Sequence, residues 1–206
     1  HELLDLARRE VVASWRGQAR RVESFGVGLS IFDDTSGALG WLGERPWFVG
    51  DGDVVQTIAG DVLLRLPPDT VFHGAGGPRL VAGAPGPLRV IDVRDGSETL
   101  LGAVHGAGLS PHGDVLVTLE RRDGVAHVRL RPFVDEERRD VVHEVRDALE
   151  GTWIHVSFSR DERRALIERQ VLSRSTAGYS EMRASTVDLL TGEQREGASL
   201  EDEAPR

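Results

Sequence analysis

The sequence has no cysteine, a single methionine and few aromatic residues, 5% in all. Without cysteine there is no disulfide, no thiolate zinc site and no cysteine nucleophile. The compartment stays open, since a chain free of disulfides is at home on either side of a membrane. Lysine is missing too: all 25 basic residues are arginine, a bias that points to a GC-rich genome rather than to a function. No apolar run approaches the ~20 residues that cross a bilayer as a helix. The opening "HELLDLARRE" is charged from its second residue, so it does not read as a secretory signal peptide. The first residue is His1 and not methionine, which reads as a processed product or as an expressed piece of a longer chain, either of which leaves room for a targeting signal already cut away.

What remains is a chain of 206 residues, 39% hydrophobic and 29% charged, long enough for one sizeable core or two small ones. The net charge is −9, and no basic stripe is set apart from it. Nucleic acid and anionic membrane surfaces are therefore poor partners. The arginines interleave with acids, as in "VDEERRDVVHEVRD" (134–147), the pattern of a solvated, salt-bridged face. The 24 glycines favour many turns.

Two patterns divide the chain. In "HELLDLARREVVASW" (1–15), Leu3, Leu4, Ala7, Val11 and Trp15 recur at helical spacing with Arg8, Arg9 and Glu10 opposite. The spacing predicts an N-terminal amphipathic α-helix of about four turns, packed on the domain surface or, alternatively, offered to a partner. From Ser24 the period becomes two. "GVGLSIFD", "RLVAG", "LRVIDV", "DVLVTL", "VAHVRLR" and "WIHVSFS" are strand-length runs bounded by Gly, Pro and Asp. The boundaries expected are 1–23 for helix and linker, 24–197 for one all-β domain, and 198–206 for an acidic tail.

Within the β region one unit recurs. "SIFDDTSG", "RVIDVRDG" and "STVDLLTG" each place a Gly four residues after an Asp: Asp33 with Gly37, Asp92 with Gly96, Asp188 with Gly192. An Asp carboxylate accepts backbone N–H bonds inside a turn, and Gly supplies the positive φ that closes it. Three further stretches, "FHGAGGPRLVAG", "LSPHGDVLVTL" and "FSRDERRALIE", each run from an apolar residue through a polar turn into an alternating strand. Units begin near Val71, Gly108 and Val156.

Those two motifs resemble the blades of the WD-repeat and TolB-like β-propeller superfamily, where an "FSPDG" turn and a "V-x-D-x-x-T/D-G" turn mark each blade. The resemblance covers about residues 69–197 and weakly 25–66. It departs from the pattern where Ile91 and Val187 replace a WD tryptophan, where no "GH" opens a blade, and where Arg131 stands in place of an Asp. It implies an all-β, propeller-like fold of about four four-stranded antiparallel blades. In that frame His112 replaces the Asp of the first hairpin turn, between Pro111 and Gly113, and reads as a turn tip rather than a catalytic base. The TolB likeness and the missing start methionine together lean toward an exported or membrane-anchored protein outside the cytoplasm.

Motifs of chemistry are sparse. The seven histidines are scattered, with no HExxH pair, so no metal site is assigned. His1 could chelate copper through its amine and ring, but a propeller of repeats contradicts that class. "AGLSPHG" only approximates GxSxG, and "GAGGP" opens no helix, so neither a serine nucleophile nor a phosphate cradle is assigned. No catalytic residue and no cofactor is expected. Trp41, Trp47, Trp153 and His112 are the candidate partner contacts, since exposed tryptophan anchors interfaces; alternatively the tryptophans fill contacts between blades. The expected job is a non-enzymatic scaffold presenting loops to a protein partner, with self-association if the ring is incomplete. The alternative is a hydrolase, lyase or carbohydrate-binding propeller with a polar pocket at the central channel.

Overall fold

The computed structural model describes residues 2–5, 10–14, 29–30, 39–50, 53–68, 70–83, 87–123, 125–133, 139–145, 154–172 and 180–197. His1, Trp15, Asp33, Gly37, Trp153 and the tail 198–206 lie outside these residues.

The expected N-terminal helix is corrected. β1 (Glu2–Asp5) and β2 (Glu10–Ser14) pair as an antiparallel hairpin, with Leu3 opposite Ala13 and Leu4 opposite Val11. The register shifts between Leu3 and Leu4, whose partners Ala13 and Val11 leave Val12 of β2 as the extra residue of a bulge. That hides the period of two and mimics helical spacing. The adjacent β-branched Val11 and Val12 then favour the extended chain.

After β3 (Leu29–Ser30) come four antiparallel units. Blade A holds β4 (Leu39–Leu42), β5 (Arg45–Gly50), β6 (Val54–Thr57) and β7 (Val62–Arg65). Blade B holds β8 (Phe72–Gly76), β9 (Arg79–Ala82), β10 (Arg89–Asp92) and β11 (Glu98–Leu100). Blade C holds β12 (Gly106–Leu109), β13 (Val115–Arg122), β14 (Val125–Pro132) and β15 (Val141–Val145). Blade D holds β16 (Ile154–Phe158), β17 (Arg164–Leu172), β18 (Ser180–Asp188) and β19 (Gln194–Glu196). Every blade is a simple meander, each strand bonded to the one before it. The first strands are neighbours: β4 lies against β8 and β8 against β12.

In the middle blades β9, β10 and the first half of β13 are buried on both faces, because a neighbouring blade covers each side. Leu80, Ala82 and Ile91 point into a core shared with Trp47 and Val55 of blade A. Val81 and Val90, one residue out of phase, point the other way and meet Leu109 and Leu116 of blade C. Val115 and Val117 flank Leu116 and join Ile154, Val156, Ile167 and Val187 of blade D. Each such side chain, fully buried, contributes about 1.5–3 kcal/mol relative to exposure. Among the described residues these three seams, A–B, B–C and C–D, hold the buried apolar clusters, and none joins D to A. At the inner edge of blade D, β3 adds a fifth strand, parallel to β16 through Leu29–Ile154 and Ser30–His155, and also contacts β12.

Candidate functional site

The two Asp-to-Gly turns among the described residues are built alike. In the β18–β19 turn, Asp188 Oδ1 accepts the N–H groups of Leu190 (2.9 Å) and Thr191 (2.8 Å), and Gly192, at φ 77°, donates its N–H to the Asp188 carbonyl. Burial pushes the Asp188 carboxyl up, but the N–H bonds outweigh it and hold the group below its ordinary value. In the β10–β11 turn, Gly96 takes φ 72° and Asp92 accepts the Arg94 N–H at 3.0 Å. The Arg94 guanidinium then folds back onto the same carboxylate, at 2.8 and 2.5 Å. That bond holds Asp92 below the usual carboxylate range.

The turns between the first and second strands of each blade line up on one side of the molecule and touch in series. Gly77 in blade B accepts the Trp41 N–H (2.7 Å) and the Trp47 indole N–H (2.9 Å) from blade A, and donates its own N–H to Pro111 of blade C at 2.8 Å. Arg79 reaches from blade B to the Gly113 carbonyl at 2.7 Å and lies 4.6 Å from the Phe133 ring centre. The backbones meet so closely that a Cβ on Gly76 would stand 1.9 Å from the Ser110 carbonyl oxygen. Side chains are excluded there by space alone.

The contact from blade C to blade D runs through a buried carboxylate. Glu162, 1% exposed, accepts the Ser110 hydroxyl at 2.6 Å and the His112 N–H at 2.5 Å. Ser110 Oγ in turn accepts the Val115 N–H at 3.0 Å, so its hydroxyl is fully engaged. Glu162 occupies the turn position that Gly113 holds in blade C and shares its positive φ, 51° against 75°. In the sequence the only trace is a glutamate where the blade frame has glycine. His112 caps this contact as a turn tip: its backbone is held while its ring is largely exposed, with Nδ1 3.4 Å from Glu162.

The tryptophans separate. Trp47 is 0% exposed; its ring lies over Gly40, where a Cβ would stand 2.1 Å from Cζ2, and it fills the seam between blades A and B. It is therefore corrected from partner contact to interblade packing. Trp41 is 40% exposed and lines a groove of about 550 Å³ with Leu42, Val62, Leu63, Pro78, Val93 and Arg94. Val62 is 50% exposed. Trp41 is already a candidate in the sequence; the residues that form the groove around it carry no such signal, because two blades supply them.

β3 runs between β12 and β16, the first strands of blades C and D. Among the described residues no group of three or more His, Asp or Glu side chains is placed to hold a metal ion.

Four antiparallel meanders, set side by side with their first strands innermost, define a β-propeller-like protein. No protein-family model and no curated protein matches the chain. Solved structures do. The chain is similar to hydrazine synthase of Kuenenia stuttgartiensis, with a TM-score of 0.50 and 12% identity over 94% of this chain and 58% of that one. Tricorn protease matches with a TM-score of 0.46 and 15% identity, over 79% of this chain and 16% of its own. A protein described as TolB, from Agrobacterium tumefaciens, matches with a TM-score of 0.38 and 13% identity, over 74% of this chain and 59% of its own. Identities this low concern the fold alone. The chain spans less than two thirds of the length of each of these proteins.

Proposed function

We propose that this propeller-like chain is a non-enzymatic scaffold that engages a protein partner on the face of the first hairpin turns, at the Trp41 groove. The observation that carries the reading is a half-exposed tryptophan on a pinned backbone. The Trp41 N–H is bonded to Gly77 of the next blade, while its side chain stays accessible beside Val62. An anchor already held in place loses little freedom on binding, and large aromatic groups in apolar hollows dominate interface energetics. Arg94, half exposed and paired with Asp92, supplies a polar edge to the groove.

The test is site-specific photo-crosslinking in the source cells, with the full-length protein carrying the crosslinker at Val62 or, as a control, at the somewhat more exposed Met182 on blade D. The expected result is one protein adduct from position 62 alone, and its purified form binds the Trp41→Ala chain at least about tenfold more weakly, a loss of about 1.4 kcal/mol. Equal adducts from both positions, no adduct, or unchanged affinity in Trp41→Ala would end the reading.

A further inference from the structure

His143 sits on β15, the outermost strand of blade C, and is 5% exposed. Its Nδ1 lies 2.8 Å from Oε1 of Gln194 on β19, the outermost strand of blade D. The same amide returns to blade C, its Nε2 donating to the Val142 carbonyl at 3.2 Å. That second bond fixes which end of the amide is oxygen. An amide oxygen only accepts, so Nδ1 carries the proton and Nε2 is the lone-pair nitrogen of a neutral imidazole.

That Nε2 is buried with no hydrogen-bond partner. The charged groups acting on the ring are Arg169 from β17, Glu196 from β19 and Glu144 from its own strand. Arg169 is 3% exposed; it donates to Ser185 of β18 at 3.0 Å and to Glu196 at 3.3 Å, and its Nε, also buried, has no partner. Glu196 is mostly in solvent, where water screens its charge.

We propose that His143 is an acid-operated latch between the outer strands of blades C and D. Neutral, it ties β15 to β19 through Gln194. A proton taken from solvent adds to Nε2, where no acceptor waits and the buried guanidinium of Arg169 shares the seam. The imidazolium leaves the seam for water, Gln194 loses its partner, and the rim opens. The inner C–D core of Val128, Ile154 and Ile167 is untouched.

Burial pushes the His143 imidazole below its ordinary value; the Gln194 bond opposes this and the Arg169 charge reinforces it. The folded pKa therefore lies under the unfolded value of about 6.5. The unfolded chain binds the extra proton first as pH falls, so the latch contributes fully above about pH 6.5 and loses its contribution progressively below it.

Two measurements on the intact protein test this. In a histidine NMR titration the His143 ring should show the Nδ1–H tautomer at about pH 7.5 and a midpoint below about 6.5. In hydrogen exchange, corrected for intrinsic rate, residues 141–145 and 194–196 should lose protection at least about tenfold between about pH 7.5 and about pH 5, while β13 keeps its own. His143→Gln, which cannot titrate, should abolish the acid step, and Gln194→Ala should open the rim at both pH values. A midpoint at or above about 6.5, or an acid step that survives in His143→Gln, overturns the latch. If His143→Gln does not fold, the wild-type titration and Gln194→Ala decide alone.

Discussion

Glu162 offers the sharpest test of how the blades are joined. Its carboxylate is buried, accepts two hydrogen bonds from the neighbouring turn, and sits at a φ of 51° that L-residues avoid. Truncation to alanine strands the Ser110 hydroxyl and the His112 N–H without acceptors and keeps the strained backbone. A hydrogen bond to a charged group contributes about 1.5–3 kcal/mol, so Glu162→Ala should cost about 3–5 kcal/mol. Glycine removes the same bonds but relieves the left-handed backbone, so Glu162→Gly should be milder by about 1 kcal/mol. A double-mutant cycle with Ser110→Ala isolates one bond, and its coupling should be about 1.5–3 kcal/mol. Equilibrium denaturation in urea, read by tryptophan fluorescence, measures all four variants on one scale. A Glu162→Ala loss under about 1 kcal/mol, a glycine variant no better than alanine, or strict additivity with Ser110→Ala would each refute the reasoning.

Three other outcomes follow from the same geometry. Trp47→Ala should cost about 3–5 kcal/mol by emptying the A–B seam, whereas Trp41→Ala should cost under about 1 kcal/mol; similar losses in denaturation midpoints would remove the distinction between them. Gly76→Ala pushes a Cβ to 1.9 Å from a backbone oxygen that no rotamer can move, so a loss of about 1–3 kcal/mol or more is expected, and a variant as stable as the parent would contradict the seam. Asp92 is held below the usual carboxylate range by Arg94, so the unfolded chain protonates first on acidification. Its contribution is present above the unfolded value of about 3.9 and lost as pH falls through the folded one, and Asp92→Asn should flatten the dependence of Tm on pH in that acid range.

The blades were largely legible in the sequence. Units expected to begin near Val71, Gly108 and Val156 begin at Phe72, Gly106 and Ile154, because turn residues and the onset of alternation are local signals. The N-terminal segment misled for an equally local reason: the extra residue of β2, Val12, breaks the alternation by which a strand is recognised. The candidate site was legible only in part. Trp41 and Trp47 flank one turn and look alike in sequence, and it is the pairing of Trp47 with Gly40 that gives its ring a place between blades.

The sequence by itself determined the repeating unit, since strand period, Asp turn and glycine closure are each set by bonds within a few residues. Tertiary structure alone decided what the units do to one another. Glu162 meets Ser110 across 52 positions, His143 meets Gln194 across 51, and the Trp41 groove is shared by two blades. Contacts between sheets obey packing and not spacing, so no periodicity in the chain announces them.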